Sequence, residues 1–154
     1  MKYCCPLITV KELERSRYLF ETVLSQSVIA DYGENLSFEG DFSLHLKEHF
    51  SSLIDGKEII SGRNNFELFF EHDELEPIQE QLKSLGLEFL HEVREQPWKQ
   101  KVMRFYDYDK NLIEIGESME HVAKRLYREQ YSIEDICRFT YMDEKSVKEA
   151  IKSC

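Results

Sequence analysis

Pro97-Trp98-Lys99-Gln100-Lys101-Val102-Met103-Arg104-Phe105-Tyr106-Asp107-Tyr108-Asp109-Lys110-Asn111-Leu112-Ile113-Glu114-Ile115-Gly116-Glu117 reads as two short strands joined by an acidic turn. The first run, residues 101–106, is β-branched and aromatic. The second, residues 112–116, carries one carboxylate, Glu114, between two isoleucines. A charge inside an apolar strand is costly unless something pairs with it. A metal, a substrate cation, a neighbouring arginine and solvent are all open as partners, and Arg104 stands across the predicted hairpin.

Working outward, the same order of elements occurs twice. A strand over 3–10 is followed by a helix from Glu12 to about Leu24, whose Leu13, Leu19, Phe20, Val23 and Leu24 fall near helical spacing. Three short strands follow at 28–32, 36–39 and 42–46, with Gly33 and Gly40-Asp41 at the turns. Residues 49–64, rich in Ser, Gly and Asn, read as a linker. The second round has a strand over 66–71 and a helix opened by Glu74-Leu75-Glu76 with Pro77 in its first turn. That helix ends at Leu85-Gly86, where glycine is the expected cap. Strands at 88–93, 101–106 and 112–116 complete the round. Glu12-Leu13-Glu14 and Glu74-Leu75-Glu76 match 62 positions apart, so the chain is a repeat. The organisation expected is residues 1–48 for the first βαβββ module, 49–64 for the linker, 65–117 for the second module and 118–154 for a helical extension. In that extension Met119, Val122, Ala123, Leu126 and Tyr127 form one apolar stripe. Ser132 and Asp143 open two more helices, stapled by Tyr131 with Ile136 and by Met142 with Val147.

Charge narrows the function. The chain of 154 residues carries a formal net charge of −10. Residues from 118 onward hold seven Lys/Arg and seven Asp/Glu, so all of that charge lies in residues 1–117. An acidic body argues against general nucleic-acid binding, which sets cations against phosphates. The last two helices have a superficial helix-turn-helix spacing, but the final one has three Lys, no Arg, and Glu144 and Glu149 to offset them. Arg94, Lys99, Lys101 and Arg104 are one local exception, readable as an anion-binding rim or as an exposed mixed-charge strand. No apolar run of about 18 residues exists, so no membrane span is expected, and the N-terminus lacks the pattern of a signal peptide. Cys4, Cys5, Cys137 and Cys154 show no paired spacing and are expected as reduced thiols in the cytoplasm.

The repeat and the 97–117 segment together resemble the vicinal oxygen chelate superfamily, which includes glyoxalase I, extradiol dioxygenases and the bleomycin- and fosfomycin-resistance proteins. The resemblance covers residues 3–117. It implies an α+β fold in which two βαβββ modules build a curved eight-stranded mixed sheet with a concave site; the C-terminal helices are an addition. In the superfamily's metalloenzymes the ligands come from the first and last strand of each module. Carried over by position, these are Cys5, His45, Glu67 and Glu114. Such a set suits Zn, Ni, Mn or Fe, and an ion with open positions polarises a substrate oxygen. Glu114 or Glu67 would serve alternatively as a catalytic base. Each residue also has a structural reading: Cys5 as a small buried side chain, His45 as a hydrogen-bonded strand histidine, Glu67 as an exposed strand residue, and Glu114 as the ion-pair partner of Arg104. The chain departs from the family pattern at Cys5 and Glu67, where histidine is usual, and at Lys99, Tyr108 and Lys110, where Gly or Pro is frequent.

Among the aromatics of the second module, Phe66, Phe69, Phe70, Phe89, Phe105 and Tyr106 are mostly core, whereas Trp98 follows Pro97 in a loop and is placed to close over a ligand or to plug the sheet. Trp98, Arg104 and Lys101 are the expected substrate contacts. Three functions follow. The first is a glyoxalase- or dioxygenase-like protein acting on a small polar molecule, with a metal-assisted isomerase or lyase step. The second is a metal-free small-molecule binder of the bleomycin-resistance type. The third is a regulatory protein that meets a partner through the helical tail. The resemblance also implies a homodimer.

Overall fold

The computed structural model describes residues 1–152. The chain forms two compact units: Met1–Phe66 with Tyr106–Leu112, and Glu67–Phe105 with the chain from Ile113 on. Together they are α+β, each with one four-stranded mixed sheet and its helices.

In the first unit β1 (Leu7–Val10), β2 (Val28–Asp31), β3 (Asn35–Phe38) and β4 (Phe42–Leu46) stand in the order β1-β4-β3-β2. β1 runs parallel to β4; β3 is antiparallel to both β4 and β2. The strand expected from residue 3 begins only at Leu7. Pro6 has no N–H to give to a ladder, although its carbonyl accepts Ser43 N at 3.1 Å. Helix α1 (Leu13–Arg17) continues as a π-helical turn over Tyr18–Val23, closed by Leu24 N donating to Leu19 O. This wider winding turns Leu19, Phe20, Val23 and Leu24 all inward. Phe38 stacks on Phe42 with ring centres 4.6 Å apart, and Phe20 packs tilted against both. The stretch read as a linker contains helix α2 (Lys47–Leu53). It has no buried residue, hence no apolar stripe for a sequence reading to find.

In the second unit β5 (Glu67–Glu71), β6 (Phe89–Glu95), β7 (Lys101–Tyr106) and β8 (Leu112–Gly116) stand in the order β5-β8-β7-β6, with α3 (Leu75–Ser84) between β5 and β6. Leu68, Leu75, Leu82, Val102, Met103, Phe105, Ile113 and Ile115 are among its buried apolar residues. The acidic turn after β7 groups with the first unit. Asp107 accepts three hydrogen bonds, from Asp109 N, Asn111 N and Asn111 Nδ2, each at 2.8 Å. Asp109 Oδ2 accepts Lys11 N at 3.0 Å. Lys99 and Lys110 both have left-handed backbone, with φ of 69° and 66°.

The extension is three helices, α4 (Met119–Arg128), α5 (Ile133–Thr140) and α6 (Glu144–Ile151). Ser118, Ser132 and Asp143 cap them, each side chain accepting the backbone N–H three residues on. Such caps contribute about 1 kcal/mol each. Val122, Ala123, Leu126, Ile136, Val147 and Ala150 form its own core. Arg125 fastens it to the second sheet, donating to the buried Glu117 carboxylate and to Lys99 O at 2.6 Å. Burial works against the charge on Arg125, but Glu117, Glu129 and Glu95 together outweigh this and raise its pKa.

Candidate functional site

Alternation along a strand gives each sheet an apolar and a polar face. In the first sheet Ile8, Leu44 and Leu36 are aligned neighbours in the core; one residue on, Thr9, His45 and Asn35 are aligned on the opposite face. In the second sheet the polar face holds Glu67 and Phe69 of β5, His91 of β6, Arg104 of β7, and Glu114 and Gly116 of β8.

The first polar face is a chain of hydrogen bonds. Ser37 Oγ donates to Asn35 Oδ1 at 3.4 Å, and Asn35 Nδ2 donates to His45 Nδ1 at 3.2 Å. His45 Nε2 then donates to His49 Nδ1 at 2.8 Å. The two imidazoles are nearly parallel, with centres 5.0 Å apart. His45 is buried, so neither of its ring nitrogens is left over. Burial, reinforced by neighbouring His49, holds its pKa below the usual histidine range. Cys5 was expected on the first strand but lies before it and is exposed. Its Sγ is 3.8 Å from Ser43 Oγ. The proline after it starts the strand two residues later than the 62-residue repeat implies.

The second polar face centres on Arg104. Its guanidinium forms an ion pair with Glu114 through Nη2. Its Nε donates to Glu67 Oε2 at 3.0 Å, and its Nη1 donates to His91 Nε2 at 3.3 Å. His91 Nδ1 donates to Glu92 O at 2.9 Å, which fits a neutral ring protonated at Nδ1. Burial is the first reason that the His91 pKa lies below the usual range; the cations of Arg94 and Arg104 add to it. The Glu114 side chain is 8% exposed, Arg104 21% and Glu67 36%. Of the readings open for Glu114, the ion pair with Arg104 is the one observed.

The three expected substrate contacts are not gathered. Lys101 and Arg104, an odd number of positions apart, point to opposite faces of β7, and Lys101 Nζ lies 3.9 Å from Glu76 of α3. Trp98 sits in the tight turn before β7, its Nε1 donating to Gln100 Oε1 at 2.9 Å. Gln100 Nε2 in turn donates to Glu117 O at 2.7 Å. Three of the four cations expected at the anion-binding rim are in ion pairs: Arg104 with Glu67 and Glu114, Lys99 with Glu95, and Lys101 with Glu76. Cys4, Cys5 and Cys137 are free thiols, and Cys154 lies outside the described residues. No described helix is long and apolar enough to cross a membrane. Among the described residues of either unit, no three His, Cys, Asp or Glu side chains are gathered to hold a metal ion. Sequence reasoning missed Asn35, His49 and His91. His49 follows His45 by four residues, a helical spacing that a strand ending at Leu46 hides. Asn35 and His91 carry no local signal.

Comparison with known proteins follows the same architecture. The glyoxalase-like domain family matches residues 3–120. A protein of unknown function from Agrobacterium tumefaciens is 30% identical, with a TM-score of 0.67 over 77% of this chain and 94% of its own. A glyoxalase-related enzyme from Fulvimarina pelagi is 17% identical, with a TM-score of 0.64 over 77% and 89%. The fosfomycin resistance protein FosX of Listeria monocytogenes, complexed with Mn(II) and sulfate, is 18% identical, with a TM-score of 0.60 over 81% and 97%. No curated protein matches. The repeated βαβββ order and the residues matched place this chain in the glyoxalase-like domain family of the vicinal oxygen chelate superfamily, with three helices added at its C-terminal side.

Proposed function

We propose that this protein is a metal-independent member of its family that binds a small polar ligand, neutral or cationic, against the polar face of the second sheet. The observation that carries this reading is the position of Arg104 between Glu67 and Glu114. A guanidinium already supplies the positive charge that a divalent ion would bring, with a rigid fork of donors suited to carboxylates. Each glutamate meets Arg104 through one oxygen, and an ion on either carboxylate would stand beside that like charge. His45 would ligate only by giving up Asn35 or His49. Within each unit, neither Cys5 with His45 nor Glu67 with Glu114 fits a divalent ion.

Two carboxylates and one guanidinium leave one negative charge on the face, which favours a neutral or cationic ligand over an anion. Phe69 is 49% exposed and offers an apolar platform beside those charges. Glu67, 36% exposed, and the N–H groups of Arg104 not used by Glu67, Glu114 and His91 orient the ligand's polar groups, and no bond-breaking step is needed for this role. The free thiols and the family resemblance extend the reading to a cytoplasmic homodimer.

The test is elemental analysis of purified protein, with calorimetric titration by Mn²⁺, Zn²⁺, Ni²⁺ and Fe²⁺. No stoichiometric metal is expected, and metal-free protein should change its Trp98 fluorescence with a small amine or amide ligand, less so in Phe69→Ala. One tight ion per chain, lost in Glu114→Gln, would overturn the proposal. It would support the metal-assisted isomerase or lyase reading that the Mn(II) complex of FosX motivates.

A further inference from the structure

The structure assigns a second binding site, in the first unit, for a small molecule bearing a phosphate or another tetrahedral oxyanion. It stands on different residues from the polar face of the second sheet and does not depend on the reading given to that face. A cavity of about 670 Å³ is lined by Lys11, Lys47, Lys57 and Ser51, with Glu48 and Glu58 at its wall. The fold brings the first two lysines together. Val10 pairs with Leu46 in the parallel β1–β4 register, so Lys11 and Lys47 leave neighbouring strands side by side. The backbone of Lys11 is fixed there by Asp109, whose carboxylate accepts the Lys11 N–H. Lys57 joins from the chain after α2.

Like charges placed side by side on paired strands repel. This chain has 30 Asp/Glu against 20 Lys/Arg, so acidic partners are plentiful. Yet among the described residues none of these three lysines is in an ion pair, while Lys83, Lys99, Lys101 and Lys148 all are. The lining itself carries three ammonium groups against two carboxylates, with the Asp109 carboxylate engaged by the Lys11 backbone. An anion would remove the repulsion. Ammonium groups are compact point charges with several donors each, which suits the many oxygens of a phosphate; a planar carboxylate is better matched by the arginine fork. Ser51 adds a hydroxyl donor. The volume lies within the range of small-molecule pockets and exceeds a bare phosphate, so the occupant carries an organic part as well.

The experiment uses the full chain, labelled with ¹⁵N, and amide shifts on adding inorganic phosphate, with chloride exchanged to hold ionic strength constant. Saturable shifts are expected at Lys11, Lys47, Ser51 and Lys57. Affinity should fall about tenfold or more in the Lys47→Met/Lys57→Met double variant and remain in Lys145→Met, an exposed lysine of the helical extension. Should the double variant fail to fold, Lys57→Gln, at an exposed position, replaces it. A phosphomonoester such as glycerol 3-phosphate should bind more tightly than inorganic phosphate, and acetate more weakly. Shifts matched by chloride, affinity unaltered in the lysine variants, or acetate binding as well as phosphate would each overturn the assignment.

Discussion

Replacing Arg104 by methionine removes the guanidinium while keeping a similar unbranched stem on β7. The Glu114 side chain, 8% exposed, then keeps its charge inside the sheet with no cation beside it. Breaking a fully buried pair in this way costs about 3–5 kcal/mol. Arg104 is 21% exposed and Glu67 36% exposed, so water softens the loss, and about 2–4 kcal/mol is expected. Urea unfolding followed by far-UV circular dichroism measures it, with the slope against denaturant unchanged if only stability is altered. Glu67→Gln should cost about 1 kcal/mol or less, because that partner faces solvent. Arg104→Met/Glu114→Leu should recover at least half of the loss, since an apolar pair leaves no orphaned charge. A loss below about 0.5 kcal/mol, or a double variant no more stable than Arg104→Met, would refute the assignment of Arg104 as the cation of this site.

Stability should depend on mildly acidic pH. His45 and His91 both have pKa values held below the usual histidine range, mainly by burial. The unfolded chain therefore binds protons more readily, and the stability they contribute is complete above about pH 6.5 and lost as pH falls below it. The urea midpoint should drop between about pH 7.5 and 5.5, and a flat profile in His45→Gln/His91→Gln would confirm the source; an unchanged slope would refute it. Gly116→Ala places a methyl 2.9 Å from Gln100 Nε2, 3.0 Å from Val102 Cγ1 and 3.2 Å from Phe69 Cε2. Gln100 yields only by loosening Glu117 O or Trp98, so about 1–3 kcal/mol is lost and Trp98 emission shifts; an unaltered spectrum and midpoint would count against this packing. Leu126→Ala hollows the extension's own core at a cost of about 2–4 kcal/mol. Hydrogen exchange should quicken first in α4–α6 rather than in β5–β8, and uniform quickening would show that the extension has no separate stability.

The repeat, the order of most elements and the three C-terminal helices, two of them with their caps, were legible because their signals are local. Strand alternation, the glycine at the end of α3, and a Ser or Asp three residues before an amide each act within one turn or one hairpin. Helix α2 was read as a linker because its sequence carries turn-forming residues and no buried stripe. The start of β1 was misplaced because alternation continues through Cys4-Cys5, and only the parallel pairing with β4 shows that the ladder begins after Pro6.

The amino-acid sequence by itself determined the two βαβββ modules, the polar and apolar parity of each strand, and the helical extension, since periodicity and capping are properties of neighbouring residues. It also marked Glu114 as a charge in need of a partner. Only the tertiary structure decided which partner. Glu67 and Arg104 are 37 residues apart and meet on one face through the pairing of four strands. His45 finds Asn35, 10 residues away, through the pairing of β3 with β4. Whether a carboxylate awaits a metal or already holds an arginine depends on such long-range neighbours, because the cost of burying a charge is met by whatever the fold brings within a few ångströms.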